Sequence, residues 1–67
     1  MEESGLFDFA AVFARLTCVF EDGAGVATAG QTAGLSVSRN KELAAELNVL
    51  HQQASDLLVG LSDALNR

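Results

Sequence analysis

Few side chains in this sequence could do chemistry: one cysteine, one histidine and a small set of acids. Cys18 stands in an apolar run, and the nearest charged residues are the acids Glu21 and Asp22. A reactive thiolate needs cationic neighbours that favour its ionisation. We therefore expect Cys18 to be a small buried hydrophobic residue, with an interchain disulfide as the alternative.

His51 has no metal-ligating partner at helical spacing. Its neighbours one helical turn away are Leu47, Asn48, Ala54 and Ser55. The di-iron bundle motif places a glutamate three residues before the histidine, and Asn48 occupies that position here. We expect His51 to be a half-exposed structural or interface residue, and we predict no metal site.

Glu42 and Glu46 are four residues apart and would share one side of a helix. A solvated surface explains them, because catalytic carboxylates lie in a cleft that shifts their pKa values. Gly23-Ala-Gly25 lacks the third glycine at the spacing of a dinucleotide fingerprint. The sequence therefore predicts a protein that is not an enzyme, with no catalytic residue and no cofactor.

Length and composition indicate one small domain over residues 1–67 that needs a partner to complete its core. A chain of about 60 residues buries only ~60% of the surface that it exposes when unfolded. A single cysteine allows no internal disulfide, and 49% of the residues are hydrophobic. Oligomerisation is the remaining way to stabilise such a chain.

The formal net charge of −5, from nine acids and four bases, argues against nucleic acid as a partner. No apolar run approaches the ~20 residues that cross a bilayer, so we expect no membrane partner. The acidic start Met1-Glu2-Glu3 differs from the basic start of a secretory signal. Together with the single thiol, it predicts a cytoplasmic location.

Hydrophobic periodicity predicts an all-α fold. We expect helix one over about 4–20, with Ser4 as its N-cap, and helix two over about 38–65, capped by Ser38 or Asn40. The Gly/Thr/Ala-rich residues 21–37 between them disfavour helix and predict an irregular linker. The expected fold is a two-helix antiparallel hairpin in which helix one leaves about ten residues of helix two uncovered.

Both predicted helices carry apolar residues at alternating spacings of three and four, which is typical of helix bundles. Two broad stripes per chain predict that homodimerisation completes a four-helix bundle, with a higher assembly as the alternative. The predicted core and oligomer interface consists of Leu6, Phe9, Phe13, Leu16, Phe20, Leu43, Leu47, Leu50, Ala54, Leu57, Leu58, Leu61 and Leu65. Val49, Val59, Glu42 and Glu46 form a candidate surface for a further partner.

The segment Ala33-Gly-Leu-Ser-Val-Ser-Arg39 resembles the turn of helix-turn-helix DNA-binding domains. Gly34 and Leu35 match the usual turn, and Gly30 supplies the small residue of the first helix. The resemblance covers about residues 26–45 and implies a DNA-binding regulator whose recognition helix follows the turn.

The interpretation that best fits the whole chain is a small acidic protein–protein interaction module, acting as a regulator, adaptor or antagonist of a larger protein. The DNA-binding regulator is the alternative. A small-molecule site in the bundle core is a third hypothesis.

Overall fold

The computed structural model describes residues 7–67 and shows two helices, α1 (Phe9–Gly30) and α2 (Val37–Leu65), joined by a short turn. The helices lie side by side in a rod of 56 × 15 × 15 Å. Leu16 of α1 clusters with Ala54 and Leu61 of α2, while a Cβ atom built on Gly30 would lie 3.9 Å from Cδ1 of Leu43. The helices are therefore antiparallel, and the prediction of an all-α hairpin is confirmed.

Both N-termini are capped by side chains, but not by those predicted. Asp8 accepts a hydrogen bond from the backbone N–H of Ala11 at 3.0 Å, and Ser36 accepts one from the N–H of Arg39 at 3.0 Å. Such bonds satisfy amide groups that have no partner within the helix. The prediction of Ser38 or Asn40 as the cap of α2 was wrong, and Ser4 lies outside the described residues.

The predicted linker over residues 21–37 was also wrong, because α1 continues through Glu21 to Gly30 and only residues 31–36 connect the helices. Glycine and threonine have low helix propensity, but packing of one helix against another outweighs propensity in proteins. Half-buried Val26 belongs to this extension, and the Thr28 hydroxyl donates a 2.8 Å hydrogen bond to the carbonyl of Ala24. Because α1 is 22 residues long beside the 29 of α2, less of α2 is left uncovered than predicted.

The turn between the helices depends on one glycine. Backbone N–H groups of Gln31 and Thr32 bond to the carbonyls of Thr28 and Ala29, which ends α1. Gly34 then adopts a φ of +80°, a conformation that costs a residue with a Cβ atom about 1–2 kcal/mol. Gly34 thus reverses the chain just before Ser36 caps α2.

The seam between the helices is small. The buried side chains among the described residues are Leu16, Leu43, Ala54 and Leu61. Half-buried Phe7, Val12, Val19 and Leu57 pack around the cluster that contains Leu16. Four buried residues are few even for a chain of this size, so the isolated hairpin has a marginal core.

The phenylalanine ladder of α1 does not face α2. Phe9, Phe13 and Phe20 are exposed, and among the members of the predicted ladder that the structure describes, only Leu16 is buried. The residues of α1 that contact or line the seam follow a neighbouring 4-3 pattern: Val12, Leu16, Val19, Gly23 and Val26. Leu6, also predicted for the ladder, lies outside the described residues.

Candidate interaction surface

One side of the hairpin carries a row of exposed apolar side chains from both helices, which we call the apolar face: Phe9, Phe13, Phe20, Leu47, Leu58 and Leu65. Phe20 borders open grooves together with Leu47 and Leu58, so the two helices contribute to the same side. Phe9 and Phe13 precede Phe20 at helical spacing on α1, and Leu65 follows Leu58 on α2, so all four extend the same side of the hairpin. Phe13 and Phe20 remain 56% and 58% exposed in the hairpin.

The other side of the hairpin is a polar groove, lined by Arg15, Cys18, Glu21, Asp22, Arg39, Glu46, Val49, Gln53 and Asp56 among others. Acids outnumber bases along it, which agrees with the acidic composition of the chain. Charge is therefore concentrated away from the phenylalanines. Such segregation is typical of a helix pair that buries one side against a partner and leaves the other in water.

His51 lies on the edge of the apolar face. It lines the same grooves as Phe20, and its neighbours there on α1 are Val19, Phe20 and Gly23, none of which is charged. The nearest acids along the chain, Glu46 and Asp56, line the polar groove on the other side. His51 and Ser55 are consequently the polar side chains that line these two grooves.

Cys18 is exposed, and the prediction that it is buried was wrong. It lines the polar groove with Arg15 and Asp56, because the α1 residues that face α2 are its neighbours in sequence, Leu16 and Val19. His51 lies on the opposite side of the hairpin. The fold therefore separates the two residues that could have formed a thiol–imidazole pair.

Within residues 7–67 no three histidine, cysteine, aspartate or glutamate side chains come together as a metal site. Glu42 forms a 3.1 Å ion pair with Arg39 on the exposed surface of α2. The depressions along the seam are open grooves rather than enclosed cavities. In the described part of the chain, no helix has the length and apolarity to cross a membrane.

The remaining predicted interface residues are divided between the seam and the surface. Leu43, Ala54 and Leu61 are buried, and Leu50 and Leu57 are half-buried, so these five lie in the hairpin seam. The candidate partner surface is split: Glu46 and Val49 line the polar groove, whereas Val59 borders the apolar face. Sequence reasoning did not single out Val12, Gly23 and Val26 as seam residues, although their spacing with Leu16 and Val19 already pointed to them.

The segment that resembles a helix-turn-helix forms the turn of the hairpin. Gly34 has the positive φ that such a turn uses. The helices of a DNA-binding helix-turn-helix cross at ~90–120°, however. Here α1 and α2 run side by side along a rod only 15 Å wide, so the crossing that presents a recognition helix is absent.

Comparison with known protein families, with curated proteins and with solved structures finds no match for this chain. Its function is therefore inferred from the chemistry of its own surface. The features available for that inference are the apolar face and the polar groove.

Proposed function

We propose that this protein is a non-enzymatic protein–protein interaction module that dimerises through its apolar face into a four-helix bundle. As a dimer it acts as a regulator, adaptor or antagonist of a larger protein. The observation that carries the proposal is the row of phenylalanine and leucine side chains left exposed on one side of a hairpin in which four residues of the range 7–67 are buried. Exposed apolar patches of this kind mark interaction sites.

The accessible surface area of the hairpin supports the proposal that a second copy covers the apolar face. The chain has an accessible surface of 4932 Å². A compact monomer of 7.0 kDa is expected to expose about 4,000 Å², so the excess is roughly 900 Å². A standard protein interface buries about 800 Å² on each partner, and covering the apolar face would bring the protein close to the expected surface.

The polar groove supports the second half of the proposal. In a bundle formed through the apolar face, the groove stays on the outside, with Val49 and Leu50 between the acids Glu46 and Asp22. Apolar atoms flanked by carboxylates suit a basic, partly apolar surface on a target protein. The polar groove is therefore where we expect the larger partner to bind.

Two features argue against the DNA-binding alternative. The bases closest to the turn are Arg39 and Lys41, and Arg39 is ion-paired with Glu42. The chain as a whole is acidic, and nucleic-acid binding requires clustered positive charge. A fluorescence-anisotropy titration with labelled duplex DNA at low salt tests this alternative, and saturable binding that weakens as salt is added would support it.

Sedimentation equilibrium at micromolar concentration tests the main proposal. We expect a mass of two chains that falls towards one chain on dilution, with loss of helical signal as the dimer dissociates. A hairpin that remains monomeric and cooperatively folded throughout would overturn the proposed dimer. A mass well above two chains would show that the apolar face drives open-ended assembly instead of a closed bundle.

A further inference from the structure

The apolar face is divided along its length into a bulky half and a small half. The bulky half holds Phe9, Phe13 and Phe20 on α1, beside Leu58 and Leu65 on α2. Towards the turn, the helical repeat that places Phe13 and Phe20 on the face places Ala24 and Ala27 there. On α2 the same repeat leads from Leu58 through His51 to Ala44 in the small half, where Leu47, one turn from His51, is the single bulky member of the face.

Two copies of the hairpin can stack these faces with their turns at the same end or at opposite ends. With the turns at the same end, bulky half meets bulky half, and small half meets small half, where Leu47 alone stands beside the alanines and a gap remains. With the turns at opposite ends, the bulky half of each copy covers the small half of the other. Protein interiors tolerate few voids, and facing positions that alternate large and small side chains fill space best.

On this basis, and resting on the proposed dimerisation, we infer that the two hairpins pack with their turns at opposite ends, so that the two His51 side chains meet near the two-fold axis. Phe20 and His51 border the same groove and lie where the bulky half passes into the small half. They also stand near the middle of α1 and α2, respectively. A two-fold axis that places the bulky half of one copy on the small half of the other must pass close to the boundary between the halves. Each residue at that boundary therefore lies near the same residue of the second copy.

The second copy is the occupant that this surface fits best. The members of the apolar face are phenylalanine and leucine, so its occupant must present an apolar surface of its own. Its bulky and small halves are complementary to each other, which only a reversed copy of the same surface can exploit in full. The excess surface of the hairpin, roughly 900 Å², is also similar in size to the area that one side of a standard interface buries.

Cysteine cross-linking tests the orientation. In a Cys18→Ser background, which removes the native thiol, single cysteines are introduced as His51→Cys or Ser55→Cys near the inferred axis. Gln31→Cys at the turn end of α1 is the matched control. The reagent is a bismaleimide with a spacer of about 8–10 Å, the distance between axes of packed helices. Ser55→Cys provides a second axial probe if His51→Cys perturbs folding.

We expect His51→Cys or Ser55→Cys to give cross-linked dimer on the order of tenfold faster than Gln31→Cys, because the dimer holds the axial pair at a high effective concentration. In the inferred dimer the two Gln31 positions are separated by roughly the length of α1, about 33 Å. Faster cross-linking at Gln31→Cys, or equal rates at the axial and control positions, would overturn the inferred orientation.

Sedimentation of the Cys18→Ser parent separates failure of this inference from failure of the proposed function. A dimeric parent with the wrong cross-linking pattern refutes the orientation and leaves the dimer intact. A monomeric parent and a monomeric wild-type chain refute the dimer, and the orientation with it. If a different protein covers the apolar face, the isolated chain is a monomer, and substitution of its exposed phenylalanines leaves its stability unchanged.

Discussion

Phe13 and Val49 are exposed to nearly the same extent in the hairpin, 56% and 57%, but they lie on opposite sides of it. Phe13 belongs to the apolar face, and Val49 lines the polar groove with Glu46. An isolated hairpin would place the two side chains in equivalent surroundings. A dimer formed through the apolar face buries the first and leaves the second in water.

The pair Phe13→Asp and Val49→Asp therefore distinguishes a true interface from ordinary surface. Phe13→Asp should dissociate the dimer, because an unpaired charge buried in an interface costs several kcal/mol. Val49→Asp adds the same charge to the solvated side and should change stability by about 0.5 kcal/mol or less. Sedimentation and urea unfolding measure the two effects. Equal effects of the two substitutions would show that the apolar face is not buried.

Gly34→Ala and Gly60→Ala should shift stability in opposite directions. Gly34 has a φ of +80°, so a Cβ atom there is strained and the variant should lose about 1–2 kcal/mol. Gly60 lies within α2, and a Cβ atom there meets nothing within 4 Å. Gly60→Ala should therefore gain about 1 kcal/mol from helix propensity. Thermal unfolding at a fixed chain concentration measures both, and a stabilised Gly34→Ala would show that the turn is formed differently.

Ser36→Ala and Ser38→Ala test where α2 begins. Ser36 bonds to the backbone N–H of Arg39, and its loss should cost about 1 kcal/mol. Ser38 lies inside the first turn of α2 as an exposed residue, and Ser38→Ala should be nearly neutral or slightly stabilising. Urea unfolding of the two variants decides the matter. A larger loss for Ser38→Ala would move the start of α2 to the position expected from the sequence.

The helical class, the two-helix order and the extent of α2 could be predicted because they depend on local periodicity. The 4-3 spacing from Leu43 to Ala64, the lack of proline and the glycine at the turn are all visible in the chain. The extent of α1 could not be predicted in this way. Residues 21–30 have weak helix propensity and become helical where Val26 packs towards α2.

The sequence by itself determined that this protein is an acidic helical hairpin with more apolar surface than its own core can bury. Only the tertiary structure decided which apolar residues the core uses. Two overlapping 4-3 patterns run along α1, and both satisfy the same periodicity. Packing against α2 selects the narrower pattern of Val12, Leu16 and Val19, whose small side chains allow close approach of the helices. Phe9, Phe13 and Phe20 are left exposed as a result, together with His51 at the edge of the face that they form.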